Sequence, residues 1–453
     1  MSVTASLARY VASAKAEELP AWTLHEAKRT LINLLGISLS ASVMPAARIM
    51  LEWAAAEAAA PRASVVGSGL RTSPATAALL NGYLAHLQDY DDTHFPTVLH
   101  PTAPVWPAVL AAAEVTGASG REACAAFVLG AETACRVAMS VHPWHYDAGW
   151  HITGTAGVFG AAAGAGRLFG LSPEQMTHAL GIAGTQAGGV REVFGTDSKA
   201  MHPAKGASNG LQAAQLARAG FTSADDVLGG RRGFWAVLSP AGHSEEELLG
   251  GLGERWELAK NGLKLYANGV VSHPIQDAVI QLRNEHGLRA EEVTAIHARV
   301  HPLVLELMDR PDPRRGLEGK FSFQHCAAAA LVDGAGHDAQ FSDSRVADPT
   351  IATLRALVSA TPDDSMGEDQ VHVTISLADG RTVETHIEHA TGSPGNPMAD
   401  EALEAKYRAI AAPVIGEEHA GKLLAAAWAL DGAPGVGELA SLMAASSSQS
   451  SGA

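Results

Sequence analysis

Apolar residues recur at helical spacing through most of the first 260 residues of the chain. Leu24, Leu31 and Leu35 belong to one such run, and six further runs of the same kind follow it. Spacings of three and four residues place apolar side chains on one face of a helix, so each run predicts a helix. The predicted helices span residues 24–42, 74–88, 103–117, 120–140, 153–169, 172–187 and 204–219.

Local start signals support this helical interpretation. Ser73-Pro74 and Ser172-Pro173 each place a capping hydroxyl before a proline at the first helical position. Ser223-Ala-Asp-Asp226 is a further predicted helix start. Close approach of another backbone is indicated in helix 153–169, because small residues thin it. These are Gly154, Gly157, Gly160, Gly164 and Gly166.

The pattern changes after about residue 268. Val293–Val300 is rich in β-branched residues, which favours a strand. Residues 371–377 and 383–387 alternate between apolar and polar, and Asp379-Gly380 between them supplies the positive φ that a tight hairpin turn needs. Further helices are predicted at 274–286, 318–333, 347–358, 398–411 and 417–430.

The order of these elements predicts a mostly α-helical protein with a smaller α+β part. We expect a helical domain whose first segment is 1–268, an α+β domain at 269–392 and a helical return segment at 393–440. One continuous α+β domain is the alternative. The polar, low-complexity carboxyl end predicts a disordered tail at 441–453.

Composition and charge narrow the classes of function. The 453 residues are 47% hydrophobic, which is enough for a sizeable core, and the formal net charge is −16. We therefore expect no nucleic-acid partner and no anionic membrane surface, since both require a basic face. The three cysteines form no CxxC motif, and the chain shows neither a signal-like start nor an 18-residue apolar run. A cytoplasmic protein without a transmembrane span is expected.

The densest polar cluster of the sequence lies between His86 and Pro101. It contains Asp89, Asp91, Asp92, His94 and His100. Carboxylates and imidazoles can bind a divalent metal, or an aspartate can orient a histidine for proton transfer. A capped loop between two helices is the third interpretation, and spacing alone leaves all three open.

Two later segments combine histidine with features that suit an anion. His151 stands at a predicted helix start, where it either lies beside carboxylate-binding N–H groups or simply caps the helix. Lys199 and His202 follow in a glycine-flanked loop. This loop is interpreted either as a carboxylate-binding loop with a proton shuttle or as a solvated connection.

Two more segments lie in and beside the predicted α+β domain. Tyr266 and His273 belong to residues 264–274, at the predicted domain junction, where ligand sites are common. His325 follows Ser322 in residues 320–326, and this serine also fits a plain helix cap.

Together these segments resemble the MmgE/PrpD family over roughly residues 5–435. Each motif alone is weak, but five in the same order are specific. They are DYDDTHFPTVLHP at 89–101, GWHITGTAGVFGAA at 149–162, TDSKAMHPAKGASNG at 196–210, KLYANGVVSHP at 264–274 and KFSFQHCAAAAL at 320–331. Members of the family include 2-methylcitrate dehydratase, cis-aconitate decarboxylase and iminodisuccinate epimerase.

The resemblance implies a large all-helical domain built from both chain ends, a smaller α+β lid domain, a homodimer, and chemistry with no metal and no organic cofactor. It also implies a set of site residues. The implied catalytic residues are Asp89, His100, His151 and Lys199, and the implied substrate-binding residues are Thr93, His202, Tyr266, His273 and His325. In this assignment His100 and His151 exchange protons, Asp89 orients a histidine and Lys199 anchors a carboxylate.

The implied substrates are small di- or tricarboxylates, and the shared step makes or consumes a carbanion-like centre beside a carboxylate. We expect dehydration of a 2-methylcitrate-like hydroxy acid. Epimerisation of a dicarboxylate such as iminodisuccinate, decarboxylation of cis-aconitate and non-catalytic carboxylate binding are the alternatives. Two departures keep the reaction open. His325 stands where decarboxylases and dehydratases of the family tend to have tyrosine, and Ala267-Asn268 replaces a proline-containing run.

Overall fold

A computed structural model describes residues 1–444 of the chain. This part is mostly α-helical, as the sequence predicts. Its contacts divide it into two compact units. Unit 1 comprises Met1–Leu87, Asp91–Asn261 and the chain from Ala399 onward, and unit 2 comprises Gln88–Tyr90 and Gly262–Met398. The domain boundaries given above stay predictions.

The helices and strands of the described residues follow one another along the chain with short connections. The helices are α1 Val3–Ser13, α2 Ala21–Ser42, α3 Pro45–Ala56, α4 Pro74–His86, α5 Thr102–Thr116, α6 Gly120–Met139, α7 Trp144–Asp147, α8 Ile152–Leu168, α9 Pro173–Gly184, α10 Met201–Arg218, α11 Phe234–Leu238, α12 Glu245–Leu249, α13 His273–His286, α14 Pro302–Met308, α15 Gly316–Gly319, α16 Phe323–Asp333, α17 Asp343–Val346, α18 Pro349–Arg355, α19 Asp400–Ile415, α20 Glu417–Trp428 and α21 Gly437–Met443. The strands are β1 Ala63–Ser64, β2 Arg71–Thr72, β3 Thr93–His94, β4 Asn261–Gly262, β5 Val293–Val300, β6 Val358–Pro362, β7 Val371–Leu377 and β8 Thr382–Ile387.

The glycine-rich helix α8 lies in the interior of unit 1, packed against α5, α6 and α10. A Cβ on Gly160 would lie 2.6 Å from the carbonyl oxygen of Gly130 in α6. A Cβ on Gly210 of α10 would lie 2.5 Å from the Cβ of Ala161. The predicted close approach of another backbone to this helix is therefore confirmed, and it brings the amino ends of these helices near one another.

Two of the three predicted helix starts are confirmed. The Ser73 hydroxyl accepts a hydrogen bond from the Thr76 amide at the start of α4, and Ser172 caps α9 in the same way. The predicted helix at Ser223–Asp226 is wrong, because these residues form a turn. The Asp226 carboxylate accepts hydrogen bonds from the Thr4 hydroxyl and the Gly229 amide, so it holds α1 and the turn instead of starting a helix.

Unit 2 contains a four-stranded sheet in the order β6-β5-β7-β8. The predicted hairpin β7–β8 is confirmed, with Gly380 at φ +87° in its turn. Two helix predictions are corrected. Residues 347–358 end their helix at Arg355, and Val358 begins a strand parallel to β5. Residues 318–333 divide into α15 and α16, because the Ser322 hydroxyl caps α16.

The carboxyl end corrects one further prediction. Helix α21 extends to Met443, so the first residues of the predicted tail at 441–453 are helical. Residues 445–453 lie outside the described residues. Within residues 1–444 no single helix has both the length and the apolar character needed to cross a membrane, whereas α2 and α3, bent by 89°, meet those criteria only as a pair.

Candidate active site

Four histidines of unit 1 lie together at helix ends, and we call them the histidine cluster. His86 ends α4, His100 precedes α5, His151 precedes α8 and His202 lies in the first turn of α10. Ring centroids are 4.8 Å apart for His86 and His100, 5.6 Å for His86 and His151, and 5.0 Å for His151 and His202. The amino termini of three helices therefore surround the cluster, and their free N–H groups and partial positive charge favour an anion.

Asp91 is the carboxylate that binds the cluster. It is fully buried, and it accepts a hydrogen bond of 2.8 Å from His86 Nδ1. Its other oxygen lies 3.6 Å from His100 Nδ1, which donates to the backbone carbonyl of Asp92 at 2.6 Å. With Nδ1 as the donor, a neutral ring presents its Nε2 lone pair. His86 Nε2 is buried and has no hydrogen-bond partner among the described residues.

His151 and His202 share one hydrogen bond. Their Nδ1 atoms are 2.8 Å apart, so one ring donates and the other accepts. Burial, His86 and Lys199 lower the pKa of His151 well below its usual value, and the same three causes lower the pKa of His202 to about 4. Both rings are therefore neutral near pH 7 in the substrate-free site.

Lys199 lies next to this pair. It belongs to the short turn Asp197–Ala200 before α10 and is 7% exposed, whereas Lys205 on α10 is exposed. Its Nζ lies 5.0 Å from the centre of the Phe194 ring, and the edge of the same ring faces His151 at 4.9 Å. The solvated interpretation of this loop therefore fails at Lys199, which is a buried cation beside the cluster.

Two threonines adjoin His100. Thr93 Oγ1 lies 3.4 Å from His100 Nδ1, and Thr153 Oγ1 accepts a hydrogen bond from the His100 amide at 3.1 Å. Thr93 therefore lies beside a predicted catalytic residue, as expected. Thr153 was part of a quoted motif but was given no role.

Asp89 belongs to unit 2, in the segment Gln88–Tyr90. Its φ is +54°, and Lys264 Nζ donates to both its carbonyl and its carboxylate oxygen at 3.0 Å. Lys320 Nζ donates to the carbonyl of Gln88 at 2.6 Å. Two lysines of the quoted motifs thus fix the backbone of the acidic segment. The hydrogen-bonded carboxylate–histidine pair involves Asp91, and the orienting role of Asp89 stays a prediction.

Tyr266 and His273 are neighbours within unit 2. Their rings are 5.2 Å apart and nearly perpendicular. The Tyr266 hydroxyl donates to Asp277 at 2.5 Å, and burial together with this carboxylate raises the pKa of Tyr266 far above its usual value. Asn268, one of the departures from the family pattern, is fully buried and donates to Gln276 at 2.6 Å.

His325 also lies within unit 2, at the start of α16. Its amide donates to the capping Ser322 hydroxyl, and its Nε2 donates to the carbonyl of Gln340 at 2.9 Å. Burial lowers the pKa of His325 to about 4. The capping interpretation of Ser322 is confirmed, and the substrate-binding role of His325 stays a prediction.

The remaining acidic-cluster residues serve other contacts. Asp92 accepts hydrogen bonds from the Thr102 hydroxyl at 2.5 Å and from Asn261 at 2.7 Å. His94 bonds Thr97 and lies 3.3 Å from Glu257. The metal interpretation has a different counterpart in the described residues: one ring nitrogen from each of three buried histidines lies within 4.8 Å of the others. These are His86, His100 and His151.

The sequence interpretation missed His86 and Phe194 and did not single out Asp91. His86 looked like the ordinary end of an apolar helix, and Asp91 was one of three aspartates in a short segment. The available signal was a histidine five residues before an aspartate in a segment already marked as polar. No sequence signal distinguished Phe194.

Comparison with known proteins gives the same picture over nearly the whole chain. The MmgE/PrpD N-terminal domain matches residues 5–247, and the MmgE/PrpD C-terminal domain matches residues 266–431. The chain is 28% identical to the cis-aconitate decarboxylase-like protein oryM of Aspergillus oryzae, with 98% of this chain and 97% of the relative covered. It is 27% identical to the cis-aconitate decarboxylases of Aspergillus terreus (92% and 90% covered) and Mus musculus (91% and 88% covered). Since the two domain matches together span most of its length, the chain belongs to the MmgE/PrpD family.

Proposed function

We propose that this chain is a lyase acting on a small tricarboxylate, and that decarboxylation of a cis-aconitate-like acid is its reaction. The observation that carries the proposal is the histidine cluster with Lys199 at three helix amino termini. It combines proton-transfer groups with the charge that an anion requires. The names of the curated relatives favour decarboxylation over the dehydration first expected from the sequence.

The charge of the substrate-free site suits a polyanion. Lys199 is a buried cation, and His151 and His202 are held neutral by burial and by their positive neighbours. Carboxylates placed among these groups offset the repulsion that lowers their pKa values. Substrate binding would therefore raise those pKa values and let an imidazole carry the proton that the reaction uses.

The decarboxylation step needs one proton and one electron sink. The bond between a carboxylate carbon and its neighbour breaks, CO₂ leaves, and the released electron pair moves through the conjugated double bond. The carbon at the far end of that bond then takes a proton. We assign this proton to His100 or His151, and we assign to Lys199 the stabilisation of a remaining carboxylate as negative charge develops.

Dehydration of a hydroxy-polycarboxylate is the second candidate. It requires removal of a proton from carbon and delivery of a proton to the departing hydroxyl. The cluster offers two separately held imidazoles for these tasks, because His100 is bonded to the Asp92 carbonyl and His151 is bonded to His202. The same arrangement therefore supports either reaction.

Proton NMR in D₂O with a panel of acids tests the proposal. The panel contains cis-aconitate, citrate, 2-methylcitrate, malate-type acids and iminodisuccinate. Loss of a carboxyl carbon with one deuterium incorporated supports decarboxylation. New vinyl signals with all carbons retained indicate dehydration, and exchange at an α-carbon alone indicates epimerisation. A ligand that raises the melting temperature but is never consumed would favour the non-catalytic carboxylate-binding alternative.

Two substitutions test the residues assigned here. His151→Ala and Lys199→Ala should each lower turnover by about 10²–10⁴-fold, the usual contribution of a positioned proton-transfer or charge-stabilising group. Lys205→Ala is the matched control, because Lys205 is an exposed lysine on the helix that follows Lys199. The far-UV circular dichroism of all three variants should equal that of the native chain. Full activity in His151→Ala or Lys199→Ala would show that the active site is elsewhere.

A further inference from the structure

We propose that His86, His100 and His151 form a binding site for a Zn²⁺-like divalent ion, and that this ion inhibits the chain. The Nδ1 atoms of all three rings are engaged, with Asp91, with the Asp92 carbonyl and with His202 respectively. In each ring the nitrogen left to act as a ligand is therefore Nε2. His86 Nε2 is buried and lacks any hydrogen-bond partner among the described residues.

The outer contacts of these rings match those of histidine ligands in metal sites. A metal-binding histidine commonly donates its other ring nitrogen to a carboxylate or a backbone carbonyl, which fixes both the tautomer and the ring orientation. His86 has the carboxylate of Asp91 in this position, and His100 has the carbonyl of Asp92. The required orientation of two of the three ligands thus exists without the ion.

The spacing of the three rings is close to that of a three-histidine site. One ring nitrogen from each lies within 4.8 Å of those of the other two. Zn–N bonds of about 2.0–2.1 Å in a tetrahedral site place ligand nitrogens about 3.3 Å apart. The widest allowed separation would therefore have to close by about 1.5 Å, shared between two side chains.

Ligand chemistry determines which cation fits. Imidazole nitrogens suit Zn²⁺, Co²⁺, Ni²⁺ and Cu²⁺, whereas Mg²⁺ and Ca²⁺ prefer oxygen. Asp91 supplies one compensating negative charge beside His86. A fourth position would be open to water or to a carboxylate.

Inhibition follows from the use of the same nitrogens. An Nε2 lone pair that binds a metal cannot accept or deliver the proton that the proposed reaction needs. The inhibitory part of this inference rests on the proposed function, whereas metal binding itself does not. The two parts are therefore measured separately.

Metal binding is tested with the full-length chain after dialysis against a chelator and then against buffer. Titration with Co²⁺ should give one equivalent of tight binding with visible absorption typical of tetrahedral coordination, and Zn²⁺ should displace the Co²⁺. His86→Gln should weaken binding by at least about 100-fold, since even outer-contact changes cost 10–100-fold. His100→Gln serves as a second variant should His86→Gln fail to fold.

His386→Gln is the matched control. His386 is exposed on β8 and is paired in register with His372 of β7, which makes this hairpin the place where a surface metal would bind. Binding that survives His86→Gln but disappears in His386→Gln would overturn the proposal, as would failure to bind Co²⁺ or Zn²⁺ at all.

Inhibition is tested on the active enzyme. Zn²⁺ should abolish turnover of the substrate identified by NMR, ethylenediaminetetraacetate should restore it, and substrate should compete with Zn²⁺. Turnover that is indifferent to bound Zn²⁺, or that increases with it, would overturn the inhibitory role. If the chain turns over none of the panel acids, the Co²⁺ titration still decides whether the metal site exists.

Discussion

The Asp91→Asn substitution removes one negative charge from the histidine cluster while almost preserving the size of the side chain. Asp91 lies 2.8 Å from His86 Nδ1 and 3.6 Å from His100 Nδ1, and it is fully buried. At an effective dielectric constant of about 20, two unit charges about 4 Å apart interact by about 4 kcal/mol. Loss of the carboxylate should therefore lower the pKa of the His100 imidazolium by up to about 3 units.

The sign of the effect on turnover follows from the proposed step. If His100 delivers the proton, kcat falls as the pH rises through the pKa of its imidazolium in the substrate complex. A lower pKa in Asp91→Asn moves this falling limb to lower pH. We expect a shift of about 2–3 units, a loss of about 10²–10³-fold near pH 7 and partial recovery in acid, measured as kcat between about pH 5 and pH 9.

Asp92→Asn is the matched control, since Asp92 is equally buried but its carboxylate bonds Thr102 and Asn261. Burial and the neighbouring Asp91 raise its pKa to about 7. Because this exceeds the unfolded value of about 3.9, the native chain retains a proton between about pH 4 and pH 7, and stability falls as pH rises through that window. Asp92→Asn should remove this dependence and leave the kcat profile in place. An equal shift of the profile in both variants, or a loss in Asp91→Asn that is the same at every pH, would refute the reasoning.

Two further predictions concern linkage and packing. Substrate binding should take up protons near pH 7, because bound carboxylates raise the lowered pKa values of His151 and His202. Calorimetry in two buffers of different ionisation enthalpy measures this uptake, and a result of zero would contradict it. Gly160→Ala should lower the free energy of unfolding by about 1–3 kcal/mol, because its Cβ would lie 2.6 Å from the Gly130 carbonyl. Gly437→Ala, whose Cβ meets no atom within 4 Å, is the control in denaturant titration, and equal stability of the two variants would show that α8 and α6 are less tightly packed.

The secondary structure was predictable where a local pattern determines it. Glycines along α8 indicated a close helix neighbour, and Asp379-Gly380 indicated the hairpin turn, because each depends on backbone geometry within a few residues. Strand β6 was missed because its partner lies far away in the chain, at Ile296–Val300. Ser223–Asp226 was misread because capping residues serve equally well in turns and tertiary contacts.

The site was predictable by segment but not by individual contact. The acidic motif contains three aspartates within four residues, and the structure gives each a different partner: Lys264 for Asp89, His86 for Asp91 and Thr102 for Asp92. The left-handed φ at Asp89 turns the chain at this point. Residue types and spacing do not determine which carboxylate bonds a histidine, because that depends on which helix end lies opposite.

The neutral state of the substrate-free site has a consequence for selectivity. Protonating both His151 and His202 beside Lys199 would bury three positive charges together, and burial and mutual repulsion prevent this by lowering both imidazole pKa values. A monocarboxylate offsets one positive charge, whereas a tricarboxylate offsets three. If the proposed reaction requires an imidazolium, the proton becomes available only when enough carboxylates are bound. The rate constant of the chemical step, and not only the affinity, should therefore rise with the number of carboxylates on the substrate.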